Sequence, residues 1–171
     1  MNRGTTSTLA AFTREPLCLP GVAARDPAAI LSELSRAFER ASAVQASLSL
    51  FNVALNAYFF ARGDQVGPLA CSVAAMPRQA GATFAVATTQ QECWWRHECP
   101  PVRAVFLVVC ASGASALSDA IAAALRRLAA DPATLRDLLC AAAPAAMLRA
   151  LARVPVDDPS RFASASHVCE A

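Results

Sequence analysis

The chain has 171 residues, 56% of them hydrophobic, and a formal net charge of +2; that is enough for one well-buried core and too short for two ordinary domains with a linker. All 15 basic residues are arginine and they form no basic run, so no electrostatic footprint for nucleic acid is present. The absence of lysine also excludes a Walker-loop lysine, a Schiff base and a lysine general base.

The first 16 residues are polar and are expected to be a loose end, with a packed domain over residues 17–155 and a loose tail over 156–171. The opening stretch carries Glu15 and no continuous apolar segment. A cytoplasmic protein without a secretory signal is therefore expected. A short strand is predicted over residues 17–19. Asp26-Pro27 then supplies an N-cap with proline at the first helical position, and Leu31, Leu34, Phe38 and Ala41 continue a helix to about residue 43.

Residues 41–61 carry no charge, which raises the question of a membrane span. Gln45, Ser49, Asn52 and Asn56 recur at helical spacing opposite Leu48, Phe51, Leu55 and Phe59. That pattern predicts an amphipathic core helix over residues 47–62, closed by Gly63, rather than a lipid-facing one. After Gly67-Pro68 the pattern shortens to strands over residues 71–75 and 83–89 and a valine-rich run over 102–110, expected to be a central strand covered on both faces. Helices follow over residues 115–129, 132–140 and 144–153, the second starting from Asp131-Pro132. Helices before and after a block of strands predict an α/β fold: a single three-layer α/β/α sandwich with a mixed central sheet.

Seven cysteines, Cys18, Cys71, Cys93, Cys99, Cys110, Cys140 and Cys169, are an odd number, and several sit in apolar runs. Most are read as reduced core residues. The densest group of soft ligands is Cys93-Trp94-Trp95-Arg96-His97-Glu98-Cys99. Cys93, His97 and Cys99 could hold three corners of a zinc site, but the spacing departs from the usual knuckle; a Cys93–Cys99 disulfide or a hairpin with two packing tryptophans are the alternatives. His97 could instead serve Cys71 or Cys110 as a base. His167 and Cys169 in the tail are too few to argue from. Trp94 and Trp95 alternate faces if extended, so one of them, with Arg96, is a candidate for a protein interface. No cofactor is expected.

Within residues 102–131 a buried strand meets a small polar loop that opens a helix, an arrangement whose amides can face an anion. This stretch, with the Asp-Pro-initiated helix after it, resembles the phosphotransferase-system enzyme IIA domain of the fructose, mannitol and nitrogen-regulatory type. The likeness covers roughly residues 20–153. Arg62 and Gly67 look like the arginine and glycine that precede the family's catalytic loop, and ECWWRHECPPVR lies where the family places a tryptophan-containing hairpin. The resemblance implies a phosphoryl carrier that accepts the group on a histidine and passes it on, or uses it as a signal.

The residues such a carrier needs are missing. The family's carrier histidine follows an apolar-Ala-apolar-Pro run, and the corresponding stretch here is Ser72-Val73-Ala74-Ala75-Met76-Pro77-Arg78. Arg78 stays protonated and cannot accept a phosphoryl group. A second histidine, implied near residues 116–118, is absent, and PLACSV replaces the glycines that usually follow Gly67. What the resemblance leaves is an anion site without chemistry, with Arg62, Arg78, Ser112, Gly113 and Ser115 as candidates. Three readings follow: a catalytically inactive regulatory or protein-interaction domain, partnered by a phosphotransferase component or regulator; an active carrier using another acceptor such as His97, if the hairpin folds over the loop; and a metal- or thiol-dependent module at Cys93, His97 and Cys99.

Overall fold

The computed structural model describes residues 7–41, 47–60, 65–77, 79–113 and 115–157. The strands are β1 (Ser7–Thr8), β2 (Cys18–Val22), β3 (Gln65–Val66), β4 (Leu69–Met76), β5 (Ala82–Cys93), β6 (Val102–Ala111) and β7 (Pro155–Val156). The helices are α1 (Pro27–Arg40), α2 (Ser47–Phe60), α3 (Ser115–Ala130), α4 (Pro132–Leu139) and α5 (Pro144–Leu151). Five strands form one mixed sheet in the order β2-β5-β6-β4-β3. The neighbours β2 and β5, and β4 and β6, run parallel; β5 and β6, and β3 and β4, run antiparallel.

Alternation along the strands divides the core in two. One face of the sheet presents Phe84, Val86, Phe106 and Val108 to α3, α4 and α5, with the Phe84 and Phe106 rings 5.6 Å apart. The other presents Ala70, Ala74, Ala85 and Ala87 to α1 and α2. Small side chains on that face let α2 come close enough for the buried Ser72 hydroxyl to donate to the Ala54 carbonyl at 3.2 Å. The expected three-layer α/β/α sandwich is present, and the apolar run 102–110 is its central strand β6, buried on both faces.

Both Asp-Pro signals start helices. Asp26 accepts the Ala29 N–H and Asp131 accepts those of Ala133 and Thr134, in each case relieving amides that the first helical turn leaves unpaired. In α2 the buried side chains are Leu50 and Ala54, one turn apart, while Phe59 is 64% exposed. Of the expected apolar face of Leu48, Phe51, Leu55 and Phe59, Phe51 and Leu55 pack partly buried against the same core, Phe59 is corrected to the surface, and the Leu48 side chain lies outside the described ones; the fully buried positions over β4 are Leu50 and the small Ala54. Gly63 and the last residues of the expected helix lie outside the described residues. No helix among the described residues is long and apolar enough to cross a membrane.

The expected loose N-terminus is also corrected for residues 7–16. β1 pairs with β7, the Leu9 N–H donates to the Val154 carbonyl at 2.9 Å, and Leu9 is fully buried. Val156 is buried with it, so the packed unit begins before residue 17. The rest of the expected tail, residues 158–171, lies outside the described residues.

Candidate functional site

Strand direction decides which loops can meet. β4 and β6 are parallel and in register from Leu69–Ala104 to Met76–Ala111, so the chain after Met76 and the chain after Ala111 leave the sheet side by side. Gly81, just before β5, joins them, its carbonyl accepting the Ala111 N–H at 3.0 Å. Ser112 and Gly113 are exposed there. Gly113 has φ +91, a backbone conformation that suits glycine and turns the chain from β6 into α3 at Ser115. Carboxyl ends of parallel strands followed by a helix start are where open α/β sheets receive ligands. Arg78 and the Ser115 side chain lie outside the described residues, though Pro77 and Gln79 flank Arg78 at this end, the Gln79 N–H donating to the Met76 carbonyl. At the place where a second histidine is implied, Ala116 is exposed and Leu117 and Ser118 are partly buried.

The cluster around His97 is at the other end. Cys93 pairs with Val102 at the far ends of β5 and β6, so residues 94–101 connect the strands there, about 30 Å from the Ser112 loop at roughly 3.3 Å per strand residue. The condition set for an acceptor role of His97, a hairpin folded over the loop, is therefore not met. Trp95 is 2% exposed and Trp94 is 51% exposed, as alternating faces predict; only Trp94 is available to a partner, and Trp95 is corrected from interface to core. The Trp95 ring packs edge-on against Tyr58, centroids 4.8 Å apart, and the Tyr58 hydroxyl donates to the Trp95 carbonyl. Gln65 Nε2 donates to the Pro100 carbonyl at 2.7 Å, tying β3 to the same connection. Arg62 is outside the described residues, but Tyr58 and Gln65 on either side of it are at this end. The described chain thus brings the neighbours of Arg62 and those of Arg78 to opposite ends of the sheet. Gly67 lies in the β3–β4 turn, also opposite the Ser112 loop.

Cys93, His97 and Cys99 are not brought together as ligands. Cys93 is buried in the core under α1, and burial, with a smaller contribution from Asp26, pushes its thiol up to about 11. His97 is exposed and Cys99 partly so. Among the described residues no group of three His, Cys, Asp or Glu could hold a metal ion. Cys71 faces α3 in the other core, and Cys110, its pKa raised by burial, is near the Ser112 loop; neither meets His97. No disulfide joins the six described cysteines. His167 and Cys169 lie outside the described residues.

No family model matches the sequence, and no curated protein matches it. The structure does find neighbours. Nitrogen regulatory protein IIA-Ntr from Neisseria meningitidis superposes with TM-score 0.66 at 14% identity, over 84% of this chain and 98% of that one. IIA mannitol from Escherichia coli gives TM-score 0.67 at 10% identity, over 80% and 96%. The fold is that of the phosphotransferase-system IIA domains. The mannitol-specific cryptic enzyme IIA CmtB from Escherichia coli belongs to the same set, with TM-score 0.63, 13% identity and coverage of 86% and 99%. A IIA sandwich spans nearly the whole of each neighbour, so the structural likeness extends over the complete domain rather than one βα unit.

Proposed function

We propose that this chain is a IIA-like regulatory or protein-interaction domain that has given up phosphoryl transfer. The observation that carries the reading is Arg78, which follows Met76-Pro77 at the end of β4 in the place where the family resemblance implies the carrier histidine. A guanidinium that stays protonated offers no lone pair for attack on phosphorus. Two further points support it. Residues 116–118 contain no histidine, and His97 sits at the opposite end of the sheet, out of reach of the Ser112 loop. What the loop end retains suits binding: the amides of Ser112, Gly113 and Ser115, with Arg78 as the cation the sequence supplies after Met76-Pro77, would hold an anion, free or carried on a phosphorylated partner protein. Trp94, half exposed beside a rigid Trp95–Tyr58 support, would give such a partner an aromatic anchor.

The deciding experiment incubates the full chain with phosphoenolpyruvate and the general phosphotransfer proteins. No acid-labile phosphate on the chain is expected; incorporation, mapped to either histidine, would overturn the reading. The same preparation should rise in melting temperature with millimolar phosphate or a sugar phosphate, and an unchanged melting temperature removes the anion-binding part alone.

A further inference from the structure

Between α4 and α5 lies an open groove of about 580 Å³, within the size range of small-molecule sites. Its floor is alanine: Ala141, Ala142, Ala146 and Ala150. Its rim is cationic. Arg149 in the last turn of α5 and Arg153, two residues past its end, are like charges that both line the groove and repel. Asp137 of α4 pairs with Arg153 across the groove. Arg149 is exposed, and among the described residues it takes part in no ion pair or hydrogen bond. One positive charge of the pair is therefore answered by the protein, and the other is left beside the alanines of the groove. That combination suits an anion carrying a compact hydrocarbon part, because the guanidinium answers the charge and the alanine methyls cover the apolar portion.

We propose that the α4–α5 groove is a binding site for a small amphipathic anion, a carboxylate or phosphate head held by Arg149 with its apolar body on the alanine floor. This site is independent of the Ser112 loop and of the reading given for it. Cys140 lines the groove and is exposed, so its thiol reports occupancy. Butyrate and inorganic phosphate are the probes, with chloride at matched ionic strength as the reference, and alkylation of Cys140 is followed by peptide mapping on the full chain. Butyrate at ten times its dissociation constant should slow alkylation roughly tenfold. Phosphate slowing it as strongly would assign the head group alone and overturn the role of the floor. Arg149→Ala should abolish protection, while Arg136→Ala, on α4 outside the groove, should keep it. No protection by butyrate at tens of millimolar, or equal protection in Arg149→Ala, overturns the site.

Discussion

The two ends of the central sheet share β6 and could hardly differ more. Where β5 hands over to β6, the chain is pinned by aromatic packing: Trp95 is buried against Tyr58, Cys93 sits in the core, and Gln65 reaches the Pro100 carbonyl. Where β4 and β6 finish, the loops are small and polar, and Ser112 and Gly113 are exposed. Chemistry-bearing residue types crowd the first end, yet the parallel strand ends that run into a helix start are at the second. A dense cluster of Cys, His and Trp in sequence thus marked a structural hairpin, while the poorer-looking loop occupies the position where such folds bind ligands.

Substitutions can test how sharp that division is. The largest effect is expected at the pinned end: Trp95→Ala should cost about 3–5 kcal/mol in urea unfolding, and Trp94→Ala should stay within about 0.5 kcal/mol. Equal losses from both would mean that the tryptophans share one buried site. At the loop end, Gly113→Ala should cost about 1–2 kcal/mol. A Cβ there would meet nothing within 4 Å, so the penalty is backbone strain alone; a neutral result would show that the loop relaxes its positive φ. The smallest effect concerns Asp131. Hydrogen bonds from the Thr134 side chain and amide, then from the Ala133 amide, hold its carboxyl below the ordinary 3.8. A depressed carboxylate stabilises the fold above its unfolded pKa and loses that contribution as pH falls through its folded value. Asp131→Asn keeps the cap without titrating, so its stability relative to the parent should improve only below about pH 4; a constant difference across pH would dismiss the carboxylate's role.

Much of the architecture is written locally. Asp26-Pro27 and Asp131-Pro132 start helices because cap and proline act on the next three or four residues, and the valine-rich run is central because only a strand covered on both faces tolerates continuous apolarity. The errors are non-local. Nothing within residues 7–12 except Leu9-Ala10-Ala11-Phe12 hints that they pack, since their partners, Val154 and β7, are more than a hundred residues away in the chain. On α2 the expected stripe holds at Phe51 and Leu55 and fails at Phe59, and the closest approach is at Leu50 and Ala54 because β4 presents alanine and serine to them. For the candidate site, the Ser112-Gly113 loop was legible as a strand running into a helix. The distance between it and His97 was not, because strand direction and pairing order are properties of the assembled sheet.

From its residues alone this chain declared a single α/β domain, its helix starts, its central strand, and the want of a histidine after Met76-Pro77, because each depends on local chemistry or on which side chain is present. Only the tertiary structure decided that β4 and β6 run side by side in the same direction, which of the two tryptophans is the buried one, and that among the described residues Arg149 meets no counter-charge. Those outcomes depend on contacts between segments far apart in sequence, and no local pattern encodes which segments will meet.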